Sequence, residues 1–222
     1  MQKFFKSWYF KVLCGLLLVG LLIFLPAGTF FYFGGWLFCA LLFVPMILFG
    51  AVLLWRAPEL LEKRLDAKET ERTQRGVVAA SGMIFFGGFI TAGLDFRFGW
   101  SSVPLWVTVI ASVLLLLSYG TYMEVMRENA YLSRTVRVED GQQVIDTGLY
   151  GIVRHPMYAA TVVLFLSIPV VLGSWWAFGI FLLYIPVIAV RILNEEAVLR
   201  TGLVGYEAYM KKVRYRLSPF LW

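Results

Sequence analysis

Long uninterrupted apolar runs constrain this chain more than any other feature of its sequence. Six of them stand out, at about residues 12–32, 35–55, 77–94, 104–123, 157–172 and 175–192. A helix needs about 20 apolar residues, with a range of roughly 17–25, to cross a bilayer, and the first four runs meet that requirement. Only the turn-like Gly173 and Ser174 separate the last two, which we interpret as a helical hairpin with a short first arm. A single kinked helix with a re-entrant piece is the alternative.

The overall composition excludes a soluble globular protein. Hydrophobic residues make up 60% of the 222 residues and charged residues 15%, against roughly 45–50% and about 25% in soluble domains. The runs do not alternate between apolar and polar positions, which argues against a membrane β-barrel. The sequence therefore predicts an all-α, polytopic membrane protein with about six transmembrane helices.

The distribution of basic residues predicts the orientation. They precede the first run, fill the loop at 56–75, and recur in 124–156 and beyond residue 190. With six spans, all 20 lysines and arginines except Arg97 fall on one side, and the positive-inside rule makes that side cytoplasmic. Both termini are then cytoplasmic, in a plasma membrane or an endoplasmic reticulum membrane. A basic surface held against a bilayer does not favour nucleic acid as a partner.

Polar and ionisable groups divide the chain into two parts. Residues 1–123 are predicted to form four transmembrane helices with a charged cytoplasmic loop at 56–75, interpreted as a solvated helix. Residues 124–222 combine a cytoplasmic stretch, the hairpin and a tail, and any chemistry is expected there. The two cysteines, Cys14 and Cys39, lie inside apolar runs, and no metal-binding spacing is visible, so we expect no metal.

Three clusters in the second part carry candidate chemistry. In 148–158, Pro156 begins a helix whose free N–H groups favour an anion, and Gly148 allows the backbone to approach a ligand closely. In 191–196, Arg191 and Glu195 share a helix face. Two glutamates near a helix C-terminus also need a cationic partner, either Arg191 or a bound ligand. The tail, 206–220, alternates aromatic and basic residues.

Each cluster also has a plainer interpretation. An arginine-histidine pair at a helix start can reach towards lipid head groups, and a charge pair at a helix end is common at that depth. The tail fits a segment that lies on an anionic membrane surface. The order and spacing of the three clusters distinguish the two interpretations better than any cluster alone.

In order and spacing, the clusters resemble the isoprenylcysteine carboxyl methyltransferase and phospholipid N-methyltransferase superfamily. The matching patterns are G-x-Y-x-x-x-R-H-P-x-Y, then R-x-x-x-E-E, then Y-x-x-Y with a basic stretch ending in proline. The resemblance covers about residues 124–222. It implies an integral membrane methyltransferase that uses S-adenosylmethionine, with the cofactor pocket formed by the hairpin and the cytoplasmic tail.

The resemblance also implies which residues form the site. Glu195 would bind the amino end of the cofactor, and Arg191 would face the acceptor and orient a carboxylate. Glu196 or His155 would take a proton if the acceptor were an amine, so Arg191, Glu195 and Glu196 are the catalytic candidates. The cofactor-binding candidates, with Arg154 as a donor at the helix start, are Gln142, Gln143, Val144, Ile145, Tyr150, Arg154, His155, Pro156, Met157, Tyr158 and Glu195.

The acceptor stays open at this point. A lipophilic molecule arriving from the bilayer is expected, and a carboxylate of isoprenylcysteine type is the first candidate. A phospholipid and a small amine or thiol are alternatives within the superfamily. An NADPH-dependent reductase resembling sterol reductases is a second enzyme hypothesis, and a small scaffold or transporter-like protein is the non-enzymatic one.

Overall fold

The computed structural model describes residues 2–56, 72–129, 131, 138, 141–220 and 222, with backbone only for 2–8 and 72. None of these residues lies in a strand, and the all-α prediction is confirmed. The helices are α1 (Gln2–Ala27), α2 (Phe33–Arg56), α3 (Arg72–Phe98), α4 (Leu105–Glu128), α5 (Pro156–Val171), α6 (Trp175–Leu182), α7 (Tyr184–Gly202) and α8 (Tyr206–Lys212), with a 3-10 turn at Gly148–Gly151 between α4 and α5.

Five helical stretches of the described chain are long and apolar enough to cross a membrane. They are Tyr9–Ala27, Phe33–Arg56, Thr73–Phe98, Leu105–Glu128 and Trp175–Gly202, the last combining α6 and α7. The protein is therefore an integral membrane protein. Helix α5 has 16 residues, which is about 24 Å at 1.5 Å per residue, whereas the hydrocarbon core is about 30 Å thick. The predicted six crossings and the cytoplasmic termini stay predictions.

Two sequence predictions concern the connections between helices, and the described residues test only the first of them. Helix α5 ends at Val171 and α6 begins at Trp175, so the chain turns where Gly173 and Ser174 predicted it. The charged loop at 56–75 lies outside the described residues, apart from Arg56 and the first turn of α3. Its interpretation as a solvated helix stays a prediction.

Two glycines of α3 allow neighbouring helices to approach closely. A Cβ added at Gly93 would lie 2.5 Å from the carbonyl oxygen of Ile23 in α1. One added at Gly88 would lie 2.3 Å from a ring carbon of Phe181 in α6, a side chain with no exposed surface. Helix α3 therefore packs against α1 on one side and against α6 on another.

A buried carboxylate fixes the end of the bundle where short loops follow α3 and α5. Asp95 accepts hydrogen bonds from the backbone N–H of Ser101 at 2.7 Å, from the Ser101 hydroxyl at 2.6 Å, and from the hydroxyl of Ser174. Ser174 Oγ in turn accepts from Ala177 N at 3.0 Å and caps α6. These bonds hold the α3–α4 and α5–α6 loops together, so this end anchors the helices that carry the candidate site at their other end.

At that other end, the tail folds back onto the start of α5. The backbone N–H of Arg154 donates to Tyr215 O and that of His155 to Arg216 O, both at 2.9 Å. The residues just before α5 are thus paired with the segment that follows α8.

Candidate active site

A cavity of about 860 Å³, its open mouth included, lies at this end of the bundle. Its walls come from the end of α4, the extended stretch 142–145 with the 3-10 turn, the start of α5, and the chain from α7 into α8. The lining residues are Asn129, Tyr131, Gln142, Gln143, Val144, Ile145, Tyr150, Arg154, His155, Pro156, Met157, Tyr158, Arg191, Glu195, Leu199, Leu203, Tyr206 and Tyr209.

The structure brings nearly all of the sequence-predicted site residues to this one cavity. Every residue predicted to bind the cofactor lines it, and so does Arg191. Glu196 is the exception among the catalytic candidates, since it is 3% exposed and does not line the wall. Which of the lining residues bind a ligand or take part in catalysis stays a prediction.

The hydroxyl of Tyr158 connects the two charged candidates of α7. It donates a hydrogen bond to Glu195 Oε2 and accepts one from Arg191 Nε at 2.9 Å. The Arg191 guanidinium also lies 5.7 Å from the centroid of the Tyr158 ring. The sequence placed Arg191 and Glu195 on one helix face, and the structure adds a tyrosine hydroxyl from α5 in contact with both.

The imidazole of His155 lies next to both Tyr158 and Glu195. Its ring stacks on Tyr158 with 5.6 Å between centroids, and its Nδ1 lies 4.0 Å from Glu195 Oε1. One imidazole therefore contacts both the tyrosine and the carboxylate that the resemblance assigns to cofactor binding.

Glu196 lies behind the cavity wall in a network of positive groups. Its Oε1 accepts from Arg154 Nε at 2.7 Å and lies 3.3 Å from His155 Nε2, while its Oε2 accepts from Arg216 Nε at 2.9 Å. Because both carboxylate oxygens are engaged, the geometry gives no support to Glu196 as the base for an amine acceptor. It instead joins α7 to the start of α5 and to the tail.

Gly148 is required for a reason that differs from the one its sequence position suggested. Its φ is +48°, and a Cβ there would lie 1.6 Å from Glu128 Oε1. Glu128 Oε2 accepts a hydrogen bond from Leu149 N at 3.2 Å. The close approach that glycine permits is therefore to a side chain at the end of α4, which fixes the 3-10 turn in place.

Tyr150 connects three parts of the wall. Its hydroxyl accepts a hydrogen bond from Asn129 Nδ2 at 3.0 Å, and its backbone carbonyl accepts one from the Tyr209 hydroxyl at 2.8 Å. The end of α4, the 3-10 turn and α8 are thereby joined around a single buried tyrosine.

Six lining residues were absent from the sequence-predicted set. Helical periodicity could have identified two of them, because Leu199 and Leu203 follow Glu195 at intervals of four residues and share its helix face. Tyr206 and Tyr209 belong to the Y-x-x-Y pattern of the tail but were not predicted to bind a ligand. Asn129 and Tyr131 lie just beyond α4, and no local pattern in the sequence identifies them.

The cavity presents three kinds of surface to a ligand. Glu195 supplies a negative charge, Arg154 and Arg191 supply positive charge, and several tyrosines supply flat aromatic faces. One buried donor, the hydroxyl of Tyr206, has no hydrogen-bond partner among the residues that the structure describes. Such a surface suits a molecule that carries an ammonium, a carboxylate and an aromatic ring.

Comparison with protein families identifies the region around this cavity. Residues 106–202 match the family model described as phospholipid methyltransferase. This part of the chain is similar to phospholipid methyltransferases. A search of curated proteins finds no match to the chain.

The matched region covers most of the cavity but not all of it. It runs from α4 to the end of α7 and therefore contains the walls that carry Tyr158, Arg191 and Glu195. Leu203, Tyr206 and Tyr209 lie beyond its end. The predicted superfamily is confirmed, and the match favours methyl transfer over the reductase and scaffold hypotheses.

Proposed function

We propose that this membrane methyltransferase transfers a methyl group from S-adenosylmethionine to a lipophilic acceptor. The proposal rests on the position of two segments of the chain. Segments more than 30 residues apart in sequence, around Tyr158 and around Glu195, meet in one cavity within the matched domain. Each segment supplies residues that the superfamily resemblance assigns to the cofactor.

The residues of the cavity fit the chemical groups of that cofactor. S-adenosylmethionine supplies a methyl group on a positively charged sulfur, together with an amino-acid end and an adenine. Glu195 would bind the ammonium of the amino-acid end, and Tyr150 offers an aromatic face for the adenine. Attraction between a cation and an aromatic ring is worth about 0.5–2 kcal/mol, so Tyr158 would also stabilise the sulfonium.

The protein's own contribution is chiefly alignment. Tyr158 holds Glu195 and Arg191 through one hydroxyl, so the cofactor-binding and acceptor-facing side chains share a fixed reference point. Holding reacting groups in line supplies up to about 7–11 kcal/mol of a barrier. The tyrosines of α8 narrow the cavity and limit the access of water, which strengthens the electrostatic interactions inside it.

We propose a carboxylate of isoprenylcysteine type as the first candidate acceptor. Such a group is ionised at neutral pH and needs no base, which agrees with the engagement of both Glu196 oxygens. Arg191 would orient it by charge-assisted hydrogen bonds. An apolar cluster of Ile84, Tyr184, Ile188 and Ile192 also includes Tyr158, and it would receive the lipophilic part of the acceptor.

A phospholipid amine is the second candidate, favoured by the description of the matched family. An amine must lose a proton before or during methylation. His155 or Glu195 would have to take it, because Glu196 lies outside the cavity wall.

The test uses purified protein with S-adenosylmethionine that is radiolabelled in the methyl group. The acceptors are an S-farnesylated cysteine with a free carboxylate and vesicles containing phosphatidylethanolamine. Alkali releases the label from a methyl ester as volatile methanol, whereas an N-methyl group survives, so the two products are distinguishable. Glu195→Ala should abolish transfer, and Glu207→Ala, at an exposed glutamate of α8, should retain it.

Each outcome decides between the candidates. Alkali-labile label from the farnesylated cysteine supports the carboxylate, and alkali-stable label in lipid supports the amine. Failure of well-folded protein to bind S-adenosylhomocysteine in calorimetry would refute the proposed function. Binding of NADPH in a parallel titration would support the reductase instead.

A further inference from the structure

Tyr206 carries a buried hydroxyl that the described part of the chain leaves unpaired. The residue is 4% exposed and lines the cavity. Its Oη has no hydrogen-bond partner among the described residues. A buried donor left unsatisfied is destabilising, so a position of this kind indicates a partner that arrives with a ligand.

The backbone holds Tyr206 firmly in this position. Gly205 has a φ of +88°, a conformation that favours glycine, and the N–H of Tyr206 donates to Leu203 O at 3.2 Å. The ring packs against that of Tyr209 with 5.7 Å between centroids. Tyr209 provides an internal contrast, because its hydroxyl is satisfied by the carbonyl of Tyr150.

The hydroxyl remains a donor under ordinary conditions. Burial raises the pKa of Tyr206, and the negative charges of Glu196 and Glu195 raise it further. Tyr206 lines the same cavity as Glu195 and Arg154, the side chains that would bind the two charges of an amino acid.

Much of the hydrogen-bonding capacity of Arg154 is already used inside the protein. Its Nε is committed to Glu196, and one of its terminal nitrogens donates to the carbonyls of Val213 and Arg214, each at 2.8 Å. A carboxylate next to it would therefore gain from a further donor. The Tyr206 hydroxyl can supply one, because it is buried and has no hydrogen-bond partner among the described residues.

We propose that the Tyr206 hydroxyl donates a hydrogen bond to the α-carboxylate of S-adenosylmethionine and so selects for a cofactor with an intact amino-acid end. The inference rests on the proposed function, in which Glu195 binds the ammonium. The carboxylate and the ammonium are attached to the same carbon, so a ligand whose ammonium contacts Glu195 carries its carboxylate into the surroundings of Arg154 and Tyr206.

The experiment compares S-adenosylhomocysteine with its decarboxylated analogue in calorimetric titrations of wild type and Tyr206→Phe. Wild type should prefer the intact ligand, and Tyr206→Phe should bind it about 10- to 100-fold more weakly, the usual effect of losing a hydrogen bond to a charged group. Affinity for the decarboxylated analogue should change less than about threefold. Tyr215→Phe is the matched control, because that ring packs against Phe220 and is not among the residues that line the cavity, and it should bind both ligands like wild type.

Thermal unfolding without ligand gives a second readout. Since Tyr206→Phe removes an unsatisfied donor, its melting temperature should equal or exceed that of wild type, whereas a structural role for the hydroxyl would lower it.

The outcomes separate this inference from the function on which it rests. Absence of S-adenosylhomocysteine binding by wild type overturns the proposed function. Binding by wild type with no preference for the carboxylate overturns the assignment of Tyr206, and so does equal weakening of both ligands in Tyr206→Phe. Unchanged affinity in a folded Tyr206→Phe variant overturns it as well.

Discussion

Arg154 and Glu196, 42 positions apart in the chain, form a buried ion pair with 2.7 Å between Nε and Oε1. The side chains are 4% and 5% exposed. The pair joins the segment just before α5 to α7, and Arg216 extends it to the tail. Because those segments form the cavity walls, the integrity of the site depends on this buried pair.

Glu196→Gln should therefore destabilise the protein strongly. The amide keeps the shape of the carboxylate but leaves two buried or half-buried guanidinium groups without their counter-charge, and breaking one side of a buried pair costs about 3–5 kcal/mol. Thermal unfolding in detergent measures the effect. Glu207→Gln is the control, since its pair with Arg200 is exposed, and its melting curve should overlay that of wild type. Equal melting of the two variants would contradict the importance of the network.

Tyr158→Phe should impair methyl transfer while the protein remains folded. The change removes a hydroxyl that contacts both Arg191 and Glu195. A hydrogen bond to a charged group is worth about 1.5–3 kcal/mol, so we expect kcat/KM to fall about 10- to 100-fold. Tyr215→Phe is the control, because that ring packs against Phe220, away from the cavity. Wild-type kinetics in a folded Tyr158→Phe variant would exclude the alignment role.

The sequence predicted which residues line this site better than it predicted the contacts between their side chains. Apolar runs predict helices because a bilayer leaves few other structures, and the motif order predicted that Tyr150, Tyr158 and Glu195 belong together. Helical periodicity places Arg191 and Glu195 on one face, but whether a third group comes into contact with both depends on how α5 packs against α7. The burial of Glu196 depends on the tail, and the neighbour that Gly148 accommodates belongs to a helix end 20 residues earlier.

Two adjacent glycines of α3 give a test of the packing. Gly88→Ala would drive a methyl group into the buried ring of Phe181, and overpacking a core costs typically about 1–3 kcal/mol. At Gly87 no atom lies within 4 Å of the corresponding position, so Gly87→Ala should be neutral or slightly stabilising through helix propensity. Melting temperatures of the two variants measure the difference. A stable Gly88→Ala variant would show that α3 and α6 are packed less closely than the structure has them.

Tyr209→Phe should behave in the opposite way to Tyr206→Phe, although the two rings are neighbours. The Tyr209 hydroxyl donates to the carbonyl of Tyr150 at 2.8 Å and ties α8 to the 3-10 turn. Removing it leaves a buried carbonyl without this donor, so the free energy of unfolding should fall by about 1–3 kcal/mol. Backbone amides of α8 should exchange with deuterium faster than in wild type, because the helix is held less tightly.

The exposed pair that also connects α8 to the cavity wall supplies the control. Lys212 donates to Asp146 at 2.7 Å and lowers the pKa of that carboxyl, but exposed pairs contribute little to stability. Lys212→Met should therefore leave both melting and amide exchange in α8 unchanged. If Tyr209→Phe also left melting and amide exchange unchanged, α8 would be held by its apolar contacts alone. A loss of stability in Tyr209→Phe together with none in Tyr206→Phe would assign one tyrosine to the fold and leave the other for the ligand.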